Sequence, residues 1–256
     1  MRVAVCFYGL VGSAQKKFGK GASLDPKLAH KFYKKNVFKY IKNYDVFIHS
    51  QSIEYIEDLK NLYSPKLYCI ERKKFFFFKI ITNLKFIRIL FFSIFKFSKL
   101  KQRFLRGLNG YSRWYSTKKV IELKKKYERE NNFKYDLVFL TRLDWAFIKP
   151  LKLNRKMYNF FIVSHHNEVP SPRNNYKGKI KKNNKTFKKG LADYWFISSS
   201  KNLDKFSKLY DKIKDYHLSP HVSALQHVLK LNLRLKFYKY RGLDHEALRR
   251  LLKSKE

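Results

Sequence analysis

Acidic residues are scarce in this chain. Nineteen Asp and Glu face 58 Lys and Arg in 256 residues, a formal charge of +39, and no acid occurs between Glu71 and Glu122. That imbalance makes polyanions the natural partners: nucleic acid, an anionic membrane or a phosphorylated substrate. Part of the excess also reflects a Lys-, Asn-, Phe-, Ile- and Tyr-rich composition of the kind an AT-rich genome imposes. Cysteine is nearly absent. Cys6 and Cys69 lack metal-ligand spacing, which argues against a zinc site or a disulfide framework and suits a reducing compartment. No uncharged apolar run approaches the roughly 18–20 residues that cross a bilayer. The opening "MRVAVCFYGLVGS" lacks the apolar core of a signal peptide and reads as a first strand of a cytoplasmic protein. "ISSS" (Ile197 to Ser200) has no nucleophile elbow around it, so a serine hydrolase has no supporting motif. No internal repeat occurs.

What is present is an alternation of strands and helices. Arg2 to Tyr8 is a β-branched, apolar run ending in the loop "YGLVGS", although Gly9 and Gly12 do not complete a dinucleotide fingerprint. "DPKLAHKFYKKNVFKYI" predicts a helix with Asp25 as N-cap, Pro26 in its first turn and Leu28, Phe32, Val37 and Tyr40 or Ile41 on one face. "YDVFIHS" (Tyr44 to Ser50) and "SPKLYCIER" (Ser64 to Arg72) read as further strands. This β-α-β-(α)-β order predicts an α/β fold with a mostly parallel central sheet flanked by helices. "YSRWYSTKKVIELKKKYERENNFKY" predicts a long helix capped by Ser112 or Ser116, and "DLVFLT" the next strand. Later segments give a strand followed by a loop over Asn159 to Asn167, a polar loop over 170–190, a strand and turn in "LADYWFISSS", helices over 201–216 and 219–232, a last strand in "LRLKFYKY", and a short helix in "EALRRLLKSKE".

Residues 73–106 break the alternation. Lys and Arg recur every few residues among Phe, Ile and Leu, which predicts a basic amphipathic helical insertion. One reading places it at the headgroups of an anionic membrane, with lysine stems snorkelling to water. The other packs it on the core with a solvated basic face.

The strongest chemical signal is Arg142-Leu143-Asp144 after a core strand. Side chains at the carboxyl end of a central parallel strand meet the crevice where α/β proteins bind ligands. Asp144 there suits a divalent cation carrying a nucleotide diphosphate, and Arg142 suits direct bidentate contact with phosphate. An Arg–Asp ion pair closing the strand is the structural alternative.

The order of "RVAVCFYG", "DVFIHS", "SRWYSTKKVIELKK", "TRLDWAF" and "LADYWFISSS" resembles glycosyltransferases of bacterial capsule and lipopolysaccharide gene clusters, in the GT-A-like (Rossmann-like) class. The resemblance runs from residue 1 to about 230, outside 73–106. It implies one domain over 1–240 with a basic helical tail at 241–256. In that class an Asp-x-Asp motif holds the metal and the sugar nucleotide; this chain has Arg-x-Asp. Asp144 matches the second acid and is the residue expected to hold Mn²⁺ or Mg²⁺. Arg142 replaces the first acid and takes over part of the cation's role.

The resemblance further implies that Phe7, Tyr8, Gly9, Gly12 and Ser13 approach the base and ribose of a nucleotide sugar. Arg113, Tyr115, Ser116 and Lys118 would face the nucleotide or its sugar. Arg113 is favoured because it is read near a helix N-terminus, a natural anion site. Asp193 is the candidate acceptor-side base, as an inverting transfer requires. His165, His166, Asn167, Tyr194, Trp195 and His221 are expected to line the acceptor side, with either Tyr194 or Trp195 turning into the core. The function so implied is transfer of a sugar from a nucleotide-sugar donor to a glycan or lipid-linked acceptor. Its place would be the inner face of the cell membrane, held peripherally through 73–106. Two other readings stay open. A basic nucleic-acid-binding protein fits the charge and the interleaved aromatics, but no recognition motif supports it. A catalytically inactive relative fits the missing first acid.

Overall fold

The computed structural model of the chain describes residues 1–11, 24–72, 97–165 and 190–253, with the backbone alone described at 97–106, 108 and 109. The expected insertion therefore falls largely outside the described residues. So do Gly12, Ser13, His166 and Asn167.

The described residues form an α/β fold around a seven-stranded sheet. Its strands are β1 (Val3–Gly9), β2 (Tyr44–Ser50), β3 (Leu67–Ile70), β4 (Leu137–Arg142), β6 (Phe161–His165), β7 (Trp195–Ser198) and β8 (Leu235–Tyr240). They lie in the order β3-β2-β1-β4-β7-β6-β8. β5 (Trp145–Phe147) and β9 (His245–Ala247) pair antiparallel in a separate two-stranded sheet. The helices are α1 (Pro26–Asn36), α2 (Ile56–Tyr63), α3 (Phe97–Glu130), α4 (Ser200–Ser207), α5 (Pro220–Lys230) and α6 (Leu248–Lys253).

β1 shows why the sheet is central. Val3, Val5 and Phe7 point to one face, where they meet Tyr33 of α1 and Leu59 and Tyr63 of α2. Ala4, Cys6 and Tyr8 point to the other, where they meet Trp114, Val120 and Ile121 of α3 and Phe206 of α4. Burial on both faces needs a continuous apolar run, not an alternating one, and that is what "VAVCFYG" supplies. The mostly parallel expectation holds with one exception. β7 runs antiparallel to both β4 and β6, so residues 190–194 arrive at the end of the sheet where β1 and β4 finish.

Helix boundaries differ from the sequence reading in two instructive places. Asp25 caps α1 as expected, its Oδ1 accepting from Lys27 N at 2.8 Å, but the helix ends at Asn36 and buries Ala29 and Tyr33. Leu28 and Phe32 pack only partly, against a small cluster that includes Leu248. The long helix begins at Phe97, so Ser112 and Ser116 lie inside it and cap nothing, and Arg113 is far from its N-terminus. "EALRRLLKSKE" begins not as helix but as the end of strand β9, which pairs with β5 before α6 starts.

α3 and α4 are joined by a buried ionic network. Lys124, fully buried, donates to Glu128 Oε2 at 3.0 Å, to Asp204 Oδ1 at 2.7 Å and to Ser200 Oγ. Glu128 also accepts from Ser200 Oγ at 2.7 Å, from Tyr135 N at 3.1 Å and from Lys134 at 3.0 Å. Burial alone would raise the Glu128 pKa, but these donors hold it below the ordinary carboxylate value. Removing one member of such a network strands the others in a low-dielectric interior. A Lys124→Met variant should lose about 3–5 kcal/mol of unfolding free energy, readable as a lower urea midpoint. An unchanged midpoint would show the network to be dispensable.

Candidate functional site

β1 lies between β2 and β4, so the strand order reverses beside it. In open α/β sheets ligands bind outside the carboxyl ends of the strands at such a switch point. β1 finishes at Gly9, whose φ of +97° suits glycine and turns the chain out of the sheet. β4 finishes at Arg142, which sits beside Tyr8 in the parallel register. Tyr33 of α1 holds this strand end from below. Its hydroxyl donates to Arg142 O at 2.8 Å and meets Thr141 Oγ1 at 2.8 Å.

Arg142 folds back on Asp144 as a fork. Its Nε donates to Oδ1 at 2.7 Å and its Nη2 to Oδ2 at 2.5 Å. Asp144 is buried, and its backbone oxygen accepts from Leu248 N at 3.0 Å. Burial by itself would lower the Arg142 pKa; the contact with Asp144 raises it instead.

A second cluster arrives from the loop before β7. Asp193 is buried, and its carboxylate pairs with the Arg113 guanidinium of α3. Arg113 also donates to Asp193 O at 2.8 Å, and Tyr8 Oη donates to the same oxygen at 2.9 Å. His221 of α5 brings Nδ1 within 3.1 Å of Asp193 Oδ1 and 2.9 Å of Leu191 O. This approach is close enough that Gly190, at φ +85°, leaves no room for a side chain: an added Cβ would lie 2.5 Å from the His221 carbonyl carbon. Burial, with Arg142 nearby, lowers the Arg113 pKa to about 10. Burial, with Arg113 and Arg142 in range, lowers His221 to about 4.

An aromatic stack bridges the two clusters. Trp145 and Tyr194 lie ring on ring at 4.3 Å and 11°. Arg142 lies 5.5 Å from the Trp145 ring centroid and Arg241 5.0 Å from that of Tyr194. Arg241 donates to Tyr194 Oη at 2.6 Å and to both oxygens of Glu246 at 2.9 and 3.1 Å. Arg249, on α6, is half-buried and makes no ion pair among the described residues; burial lowers its pKa, while Asp144 raises it.

The expected site residues divide clearly. Tyr8, Gly9, Arg113, Arg142, Asp144, Asp193, Tyr194 and His221 gather at the carboxyl ends of β1 and β4. Phe7 does not; it packs edge-on against Tyr33 at 4.8 Å in the core beneath. Trp195 is the aromatic that turns inward. Tyr115 points toward the ends of β2 and β3, donating to Glu71 Oε1 at 2.6 Å. Ser116 is buried in α3, and Lys118 pairs with Asp211 at 2.5 Å on the outer side of that helix. His165 stacks on Tyr240 at 4.0 Å, at the ends of β6 and β8. Arg241, Glu246 and Arg249 join the site unforeseen, because "RGLDHEALRR" reads as helix and three-residue strands carry too little periodicity to detect. Gln51, after β2, was missed as well; it is buried, and its amide nitrogen has no partner among the described residues.

Asp144 does not fit the expected divalent cation in this arrangement. Both of its oxygens are taken by one guanidinium, and Arg249 lies within electrostatic range. Among the described residues no three His, Cys, Asp or Glu side chains converge to hold a metal. No protein-family model matches the chain, and no curated protein shows a significant match to it.

Histidines buried around the site make stability depend on pH. His245 accepts from Trp145 Nε1 at 3.0 Å through Nδ1 and so donates to Ser164 Oγ at 2.8 Å through Nε2. Burial lowers His245 to about 3 and His227, bonded to Tyr216 Oη at 2.9 Å, to about 4. In the unfolded chain each titrates near 6.5. The unfolded state therefore binds the extra protons, and the stability from neutral histidine is full above pH 6.5 and declines as pH falls toward 4. The unfolding free energy from urea titration should drop between pH 7 and pH 4.5, by about 2 kcal/mol for each of these two buried histidines. A His227→Gln variant should show a shallower slope, and an identical slope would remove His227 from this account.

Proposed function

We propose that this chain is a glycosyltransferase of the GT-A-like class, using a nucleotide-sugar donor bound across the carboxyl ends of β1 and β4. The observation that carries the reading is the gathering of Arg142 and Arg241 on the Trp145–Tyr194 stack and of Arg113 on the adjoining Asp193, at the switch point of the sheet, with Arg249 in electrostatic range of Arg142 and Arg241. A nucleotide diphosphate presents the charge that guanidinium forks match. The unpaired amide donor of Gln51 supports a polar contact to the nucleoside on the β2 side. The mostly parallel sheet with antiparallel β7 between β4 and β6 is consistent with the GT-A-like expectation.

In this reading the residues bind and orient. Arg113 and Arg142 hold phosphate oxygens, and the buried Trp145–Tyr194 stack positions Arg142 and Arg241 beside it. Asp193 was expected to be the acceptor-side base. With its side chain only 3% exposed and paired to Arg113 beside His221, it acts instead as a positioning residue for those two groups. The two roles predict different kinetics. A base lost in Asp193→Asn would lower kcat and leave donor affinity intact; a positioning residue lost would weaken donor binding as well. Calorimetric titration of wild type and Asp193→Asn with UDP-, GDP- and CMP-sugars checks this. We expect one donor class to bind and the variant to bind it about tenfold more weakly, the scale of one charge-assisted contact. No binding by any nucleotide sugar would overturn the transferase reading.

The excess positive charge supports an acceptor or surface that is anionic, with the enzyme on the cytoplasmic membrane face. No described helix is long and apolar enough to cross a membrane. Contact through 73–106 would be interfacial. Flotation with vesicles containing a third anionic lipid should carry the full chain upward, and deletion of 73–96 should leave it at the bottom. Equal flotation of both forms would dissociate that segment from membrane binding.

A further inference from the structure

We propose that the donor diphosphate is neutralised by arginines alone, with Arg249 and Arg142 as its direct partners, and that the site works without a divalent cation. This rests on the donor-site reading above but departs from the metal that an acidic strand-end motif implies.

Among the described residues three carboxylates stand at the crevice, and each is paired with a guanidinium. Asp144 is forked by Arg142, Asp193 pairs with Arg113, and Glu246 receives Arg241 on both oxygens. Glu246 Oε1 also accepts from Ala247 N at 2.8 Å. A magnesium or manganese ion is held by carboxylate oxygens with free lone pairs together with substrate phosphates. Asp144 and Glu246 have no oxygen to give without releasing an arginine, and Asp193, its side chain 3% exposed, has Arg113 on one oxygen and His221 Nδ1 3.1 Å from the other. An incoming divalent cation would also be repelled by the guanidiniums left behind, and in a partly buried site that repulsion is weakly screened.

The same arrangement leaves one cation over. Arg249 has no ion-pair partner among the described residues, yet it is half-buried and directly follows Leu248, whose N–H is tied to Asp144 O at 3.0 Å. Burial lowers the pKa of both Arg249 and Arg113, with Arg142 adding to the effect in each case. A cluster that disfavours its own charge in this way is relieved by a bound dianion. Phosphate accepts the planar guanidinium fork in two parallel bonds, so the group can be held without a metal bridge.

Calorimetry on the full chain with two probes tests this. Inorganic pyrophosphate and the UDP-, GDP- and CMP-sugars are titrated in buffer with EDTA and again with manganese. Pyrophosphate and one nucleotide sugar should bind in EDTA, with manganese changing affinity by less than about threefold. Arg249→Gln should weaken both by about tenfold, as expected for a lost charge-assisted pair. Arg250→Gln, which alters an exposed neighbour at 3.9 Å from Glu246, should bind like the parent. Thermal unfolding of each variant confirms that it is folded. Binding that appears only with manganese would overturn the metal-free site and leave the transferase reading standing. Pyrophosphate binding in EDTA without binding of any nucleotide sugar would do the reverse. Arg249→Gln binding equal to the parent would overturn the assignment of Arg249, and no binding of either probe would overturn both readings.

Discussion

The indole of Trp145 is the contact through which the separate parts of the crevice are held to one another. One ring face lies on Tyr194, its N–H reaches His245, and the Arg142 guanidinium lies 5.5 Å from its ring centroid. Each neighbour comes from a different part of the chain: the loop before β7, strand β9 and the end of β4. Trp145 itself lies in β5, whose three residues lie outside the main sheet and pair antiparallel with β9. His245 accepts from the indole and donates to Ser164, so the same ring ties β9 down to β6. Take away this one side chain and Tyr194, His245 and Arg142 lose the surface against which each is positioned.

Charge is handled differently on the two sides of the molecule. In the α3–α4 network, Lys124 is matched by Glu128, Asp204 and Ser200, and every buried donor has an acceptor. At the crevice the guanidiniums outnumber the carboxylates, and burial bears on the surplus. Balanced networks serve architecture; a surplus of one sign, partly buried and at a sheet switch point, is what a counter-ion site requires. The two arrangements use the same residue types and would be indistinguishable by composition.

Much of the fold was legible because its strands are buried on both faces. "VAVCFYG", "YDVFIHS" and "LVFLTR" are unbroken apolar runs bounded by polar loops, and each became a strand within a residue of its expected limits. The antiparallel turn of β7 was not legible, since a strand four residues long has the same sequence in either direction. The start of α3 was missed because Ser112 and Ser116 look like caps, while the chain before them, from Phe97 on, already belongs to the helix. For the site, Arg142, Asp144, Asp193 and Tyr194 were visible as polar or aromatic residues adjoining apolar strands. Arg113 was found for a mistaken reason: it acts from the middle of a helix, through Asp193, and not from an N-terminus. Arg241 and Arg249 were invisible because their place depends on β9 finding β5 across a hundred residues, and no local pattern records that.

That separation also orders events in time. Tyr8 and Asp193 are 185 residues apart, and Trp145 and His245 are 100 apart. Strands β1 to β4 can pair as soon as residue 142 is available, whereas the crevice needs the chain past residue 249. At a synthesis rate of about 5–20 residues per second, the β3-β2-β1-β4 half of the sheet is available several seconds before the residues that complete the crevice. Contacts of such long range are slow to form and contribute little until both partners are present. The parallel half of the sheet can thus be assembled early, and the crevice above it only late.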